Sequence, residues 1–302
     1  MTDPATTFLF WNVHHNLVVQ NLVRLVEGHD VQVLLLAESP FQERPGLLLD
    51  ALNAGPRPGG MLPFSAVTAS ASTKVQVFSR LKRGRWRTLT THQSYTVWSL
   101  FTDESNRLLL TAAHFPSIQE DQGDGQRKVA IDLRDDLWAL EARRSLLRDD
   151  VNGQKQSPFS LVIGDLNANP FDPGIAGICG LNANLSRDVL RRGGGARSLH
   201  GRSYQLFYNP MWRFFGAPKS DVDRETRVQG TYYDRLSKPV CYDWFILDQV
   251  LVRPNVLPYF DEADVSILTR DAVQGGVSLV SEEGIPRADL SDHLPLLFRI
   301  RL

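Results

Sequence analysis

The chain has 302 residues, with 33 Lys and Arg against 34 Asp and Glu, so its formal net charge is −1; 42% of its residues are hydrophobic and 22% charged. That composition belongs to a folded globular protein and excludes both dominant disorder and a uniformly basic nucleic-acid sleeve. Length alone hints at two domains of roughly 150 residues each. Two cysteines, Cys179 and Cys241, are too few for a disulfide framework, and two buried thiols are the simpler reading. The opening MTDPATTFLFWNV has no basic stretch leading a long apolar run, and no apolar stretch approaches the roughly 20 residues of a membrane span. The expected location is the cytoplasm.

In chain order, apolar and β-branched runs bounded by turn residues predict strands at Phe8–Val13, Val31–Ala37, Lys74–Phe78, Tyr95–Phe101, Arg107–Ala113, Ser160–Ile163, Trp244–Val252 and Leu296–Ile300. The fourth and fifth, joined across Asp103–Asn106, read as a hairpin. Apolar residues at three- and four-residue spacing predict helices over Asn16–Glu27, stopped by Gly28, and over Arg127–Asp149. Strands alternate with helices and hairpins also occur, which predicts an α/β protein with mixed sheets. Residues 179–240 hold Gly193-Gly194-Gly195, arginine clusters and the aromatic run Tyr204–Phe215, and read as a loop-rich insertion. The stretch Phe207–Trp212 reads as packing over a sheet edge.

Polar residues at the ends of these strands carry the chemistry. Gly164-Asp165-Leu166-Asn167 puts a carboxylate and an amide at a sheet rim, where hard divalent cations find oxygen ligands, although the same four residues also make a good turn. Ser291-Asp292-His293 precedes the last strand. Its Asp can bind metal or polarise water, and its His can act as a base or compensate charge on a phosphoryl oxygen. Glu38 ends a wholly apolar strand, where a carboxylate is costly unless paired or coordinated. Asn12 follows Phe10-Trp11, and His114 ends a strand before Phe115-Pro116. Asp248 lies inside WFILDQVLV, and a buried Asp there needs a partner, for which histidine is the natural choice. Asp243 is a nearby competitor.

This ordered set, spread from residue 12 to residue 293, resembles the endonuclease/exonuclease/phosphatase superfamily with the deoxyribonuclease I-like fold. The resemblance implies one domain over residues 1–302, a four-layer α/β sandwich around two central mixed sheets, and a metal-dependent phosphoesterase using Mg²⁺ or Mn²⁺. It implies a metal site of Asn12, Glu38 and Asp292, with Asp165 orienting or activating the attacking water and Asn167 beside the phosphate. His293 corresponds to the histidine at the scissile phosphate, with Asp248, preferred to Asp243, orienting it. His114 corresponds to a second histidine that helps protonate the leaving group. The upstream Glu that accompanies it in the deoxyribonuclease branch has no counterpart between Phe64 and Arg80.

Local charge bears on the substrate. Lys74, Arg80, Lys82, Arg83, Arg85 and Arg87 fall between residues 74 and 92 with no acid among them, and five arginines with one Asp fall between 187 and 202. Read as basic loops with Trp86 interleaved, these fit phosphate-backbone contact, with Arg80, Lys82, Arg83 and Arg85 the substrate-binding candidates. A nuclease acting on DNA or RNA is the first expectation, a phosphatase or phosphodiesterase on a small phosphorylated molecule or lipid headgroup the alternative.

Overall fold

The computed structural model describes residues 5–55, 61–67, 74–101, 107–117, 124–143, 148–149, 155–156, 158–216, 228–235 and 242–301. The chain divides into two compact units that interleave in sequence. One gathers Met1–Arg83, Arg213–Asp248 and Asp261–Arg301, the other Gly84–Trp212 and Gln249–Phe260.

The first unit is built on a six-stranded mixed sheet. Its order is Ser266–Ile267, Leu296–Ile300, Thr6–Asn12, Val33–Ala37, Val75–Ser79 and Ser65–Ala66. Thr6–Asn12 runs parallel to Val33–Ala37 and antiparallel to Leu296–Ile300, with Thr6 opposite Ile300. These strands are buried along their length, so their sequences read as continuous apolar runs rather than alternating ones. Leu9, Trp11, Leu34, Leu36 and Leu297 share a core with Leu22, Leu25 and Val26 of the helix Val19–Gly28 and with Leu48 and Leu52 of a second helix, Pro45–Asn53. That second helix is absent from the sequence reading, although Pro45 opens it in the position where a missing N–H is harmless.

A seven-stranded mixed sheet carries the second unit's core. Its order is Ala183–Asn184, Phe207–Tyr208, Asp248–Val252, Phe159–Asp165, Arg107–His114, Tyr95–Phe101 and Trp86–His92. Tyr95–Phe101 and Arg107–His114 pair antiparallel as the expected hairpin requires, while its connecting residues 102–106 lie outside the described residues. Val129, Ala130, Leu133, Leu137 and Leu140 of the helix Asp124–Glu141 pack in one core with Val97, Leu109, Val162 and Leu251. Two mixed sheets, each with its own helices, make the α/β architecture that the resemblance implied.

Four expectations need correction. The helix over Arg127–Asp149 ends at Glu141, and Arg148–Asp149 pairs as a short strand with Lys155–Gln156. The run Trp244–Val252 is two strands. Trp244–Phe245 pairs with Tyr232–Tyr233, and the break follows because the Thr231 hydroxyl accepts from the backbone N–H groups of Leu247 and Asp248. The basic stretches are largely regular structure: Trp86–His92 is an edge strand, Arg187–Arg192 a helix, and Ala196–Leu199 with Arg202–Gln205 a hairpin. Cys179 is exposed, not buried, and Cys241 lies outside the described residues. Within 179–240, Ala183–Asn184 and Phe207–Tyr208 are members of the seven-stranded sheet, and Phe207–Met211 is buried.

One buried ion pair marks the end of the Asp124–Glu141 helix. Arg253 donates from Nε and Nη2 to the two carboxylate oxygens of Glu141 at 2.8 and 3.2 Å, from Nη1 to the Leu206 carbonyl, and lies over the Phe207 ring at 3.8 Å. Removing one partner would leave the other charge buried. Glu141→Ala is therefore expected to destabilise the protein by about 3–5 kcal/mol. Urea unfolding measures this, and an unshifted midpoint would mean that the pair contributes nothing.

Candidate active site

In the first unit, the parallel pairing that sets Asn12 beside Ala37 delivers two polar residues to the same rim. Asn12 Nδ2 donates to Glu38 Oε1 at 3.1 Å. Glu38 adopts a left-handed backbone, φ 47°, which is strained for a residue with a side chain and turns the carboxylate out of the strand direction. Asp292 reaches the same place through the other end of the chain. Ser291, buried, donates its hydroxyl to the Asn12 carbonyl at 2.7 Å and accepts from the His293 N–H at 3.0 Å. The Trp11 indole donates to the His293 carbonyl at 2.9 Å. These bonds pin the Ser291-Asp292-His293 turn to the strand that carries Asn12.

His293 is oriented from its own unit. Its Nδ1 lies 2.8 Å from Asp248 Oδ2, with Asp248 fully buried and the histidine side chain 6% exposed. Tyr232 packs on the imidazole at 4.8 Å between ring centroids. Two backbone N–H bonds to the Thr231 hydroxyl fix where Asp248 stands. Asp243 is exposed, so the geometry selects Asp248. A carboxylate accepts only, so Nδ1 carries the proton in this pair and Nε2 carries the ring's lone pair.

The residues Asn12, Glu38 and Asp292 fit a hard divalent cation. All three offer oxygen, the type of donor such ions prefer. Among the described residues Asp292 Oδ1 is buried with no hydrogen-bond donor, an arrangement costly for a carboxylate oxygen unless a cation shares it.

The second unit holds its own polar set. The strand Phe159–Asp165 runs parallel to Arg107–His114 and sets Asp165 beside His114, with His114 Nε2 3.8 Å from Asp165 Oδ2. The strand continues two residues beyond the expected Ile163, which requires Gly164: a Cβ there would lie 1.9 Å from the Ala113 carbonyl oxygen. Asp165 is 1% exposed and accepts the Asn167 N–H at Oδ1, 2.9 Å. Asn167 in turn has a left-handed backbone, φ 45°, and donates its amide to the Phe115 carbonyl at 2.9 Å.

Among the basic candidates, Lys82 and Arg83 are exposed and Arg85 is half-buried in a short 3₁₀ turn. Arg80 is turned onto the Phe64 ring at 4.6 Å. Arg187 is likewise occupied within the fold, donating to the Leu257 and Phe260 carbonyls.

Two residues escaped the sequence reading. His14 and His15 follow Asn12-Val13 directly, both with left-handed backbones, φ 46° and 58°. His14 Nδ1 lies 3.5 Å from Glu38 Oε2 and 3.6 Å from Asp292 Oδ1; His15 Nε2 lies 3.6 Å from Glu38 Oε2. Two adjacent histidines just after a candidate metal-site residue were the available signal.

The sequence matches the family model described as Endonuclease/Exonuclease/phosphatase family over residues 9–293. No curated protein is similar enough to count as a match. Among solved structures, an endonuclease/exonuclease/phosphatase family protein from Bacteroides thetaiotaomicron is similar at 11% identity and TM-score 0.52, over 99% of this chain and 98% of that one. The AP endonuclease of Leishmania major is similar at 14% identity and TM-score 0.52, over 99% of this chain and 88% of that one. At such identities the likeness is one of fold. Among the described residues no helix is long and apolar enough to cross a membrane.

Proposed function

Because the chain belongs to the endonuclease/exonuclease/phosphatase family, we propose that it is a Mg²⁺- or Mn²⁺-dependent phosphodiester hydrolase whose substrate is nucleic acid. The observation that carries the hydrolase reading is the buried Asp248–His293 pair at 2.8 Å, in a unit that also gathers Asn12, Glu38 and Asp292. Asn12, Glu38 and Asp292 would hold the ion, which when bound withdraws negative charge from the phosphodiester and its leaving oxygen. Asp248 holds the imidazole in one tautomer, so that His293 meets the phosphoryl oxygen with Nε2. Asp165 takes the proton of the attacking water, and the Asn167 N–H bond to its other oxygen keeps the carboxylate aimed. His114, beside Asp165, gives a proton to the leaving oxygen. On this reading the whole chain is one catalytic domain.

Nucleic acid is favoured by exposed cationic side chains: Lys82 and Arg83 before the edge strand Trp86–His92, Arg87 on it, and Arg191, Arg197 and Arg202 in the helix and hairpin that follow Ser186. Such residues bind phosphate backbones by charge without reading sequence. The test is a panel of double-stranded DNA, single-stranded DNA, RNA and small phosphorylated molecules, each with Mg²⁺ and with Mn²⁺. Cleavage of a nucleic acid, abolished by EDTA and restored by excess metal, is the expected result. Phosphate release from a small molecule with every nucleic acid left intact would overturn the substrate assignment. Undiminished turnover in EDTA would overturn the mechanism.

A further inference from the structure

The two histidines at residues 14 and 15 have no role in the reaction described above, yet the backbone is bent to hold them against it. The His14 N–H donates to Asn12 Oδ1 at 3.0 Å, and the His15 N–H donates to the Glu38 carbonyl at 2.9 Å. Asn16 closes the turn by donating to the Val13 carbonyl at 2.8 Å. Both histidines take a left-handed backbone conformation that disfavours any residue with a Cβ and is adopted here by two in succession. A glycine or asparagine would occupy either position with less strain. The chain thus keeps two histidines with strained backbones in a turn that faces Glu38 and Asp292.

Both imidazoles stand within ion-pair reach of the carboxylates but beyond hydrogen-bond reach. His14 Nδ1 stands between the two carboxylates, 3.5 Å from Glu38 Oε2 and 3.6 Å from Asp292 Oδ1, and His15 Nε2 is 3.6 Å from the same Glu38 oxygen. All three separations exceed the N–H···O range. Atoms bound about 2.1 Å from one tetrahedral ion stand roughly 3.4 Å apart. Neighbouring oxygens around an octahedral Mg²⁺ are closer, about 3.0 Å. Asp292 Oδ1, one of the atoms facing His14, is a buried oxygen with no hydrogen-bond donor among the described residues. Both imidazoles are more than half exposed, so neither is present to fill a core.

We propose that His14 is a nitrogen ligand of the cation held by Glu38 and Asp292, with His15 a second nitrogen donor on the Glu38 side, and that they bias the centre toward first-row transition ions over Mg²⁺. This rests on the metal-dependent reading above and specifies which ion that site prefers. Imidazole binds transition ions well, with affinity rising from Mn²⁺ to Co²⁺ and beyond, whereas Mg²⁺ keeps oxygen ligands and water.

Isothermal titration calorimetry of the full chain with Mg²⁺, Mn²⁺ and Co²⁺ tests it without reference to turnover. His14→Ala is expected to weaken Mn²⁺ and Co²⁺ binding by about tenfold or more while Mg²⁺ changes far less. The visible absorption of bound Co²⁺ is expected to move to lower energy as the nitrogen ligand is lost. His14→Gln, which restores an oxygen donor, is expected to recover part of the affinity but not the Co²⁺ spectrum. His15→Ala is expected to show the same selectivity with a smaller loss. Wild-type affinities in His14→Ala, or an equal loss for all three ions, would overturn the proposal. Glu38→Gln separates the two levels. If it abolishes binding of every ion while His14→Ala binds normally, only the histidine assignment fails; if both variants bind like wild type, the metal reading fails with it.

Discussion

Asp165→Ala is expected to lower kcat/KM by about three orders of magnitude or more, the scale of losing a positioned proton acceptor, while the protein remains folded. The fold survives because Asp165 is anchored through its backbone: its carbonyl accepts the Phe115 N–H at 2.9 Å, and its strand pairs along its whole length with Arg107–His114. The substitution removes the side-chain bond from the Asn167 N–H, worth about 1 kcal/mol, and the approach of His114 Nε2 at 3.8 Å. It also removes the burden of a carboxylate at 1% exposure, which offsets part of that loss. Asp165→Asn keeps the acceptor oxygen and the turn but cannot take a proton, so it should be almost as inactive. Circular dichroism and melting of both variants, set beside their turnover, decide the matter. Activity within tenfold of wild type in Asp165→Ala would remove this residue from the mechanism.

His293→Ala should cost about as much in rate, and it should also cost stability. The side chain it removes is a partner of Asp248, whose carboxylate is fully buried, and stripping one member from such a pair destabilises by several kcal/mol. The two losses separate in the His293→Ala/Asp248→Asn double variant. Neutralising the buried acid should return most of the stability and none of the activity. The main chain at 293 should stay in place throughout, because Trp11, Ser291 and the bridge to Tyr232 hold the backbone and not the ring. If Asp165 and His293 serve one reaction, combining Asp165→Ala with His293→Ala should do little more harm than either alone. Fully multiplicative losses would mean that they act in separate steps or on separate substrates.

Strands buried on both faces were the most legible part of the sequence. Phe8-Leu9-Phe10-Trp11 and Leu108-Leu109-Leu110 admit few other structures once turn residues bound them. Less legible was whatever depends on a partner far away in the chain. The Asp124–Glu141 helix has no glycine or proline after it until Gly153, so periodicity ran on, whereas the structure stops it where Arg253 takes Glu141. Nothing in WFILDQVLV shows that a hydroxyl from Thr231 will replace ladder partners at Leu247 and Asp248. The edge strand Trp86–His92 alternates polar and apolar residues only loosely and carries an arginine, as exposed edges do, and so it resembled a loop. For the site, carboxylates and amides at strand ends could be read singly, and their order along the chain made the set. His14 and His15 offered the sequence only their adjacency after Asn12-Val13. Their backbone conformation is one that sequence assigns to glycine or asparagine, and only the structure shows histidine adopting it.

The pairing of Thr6–Asn12 with Leu296–Ile300 sets a schedule for synthesis. Thr6–Asn12 is an interior strand, flanked by Val33–Ala37 on one side and by Leu296–Ile300, a strand far later in the chain, on the other. While the ribosome works through the intervening chain, that second edge stays open, and its sequence, Phe-Leu-Phe-Trp, is well suited to pairing with a stray neighbour. The segments Gly84–Trp212 and Gln249–Phe260 leave the ribosome earlier, so the seven-stranded sheet is free to close first. Deleting the strand Leu296–Ile300 would leave Thr6–Asn12 with that edge permanently bare. A folding factor that shields it, or slow growth at low temperature, should therefore decide how much soluble protein a cell recovers.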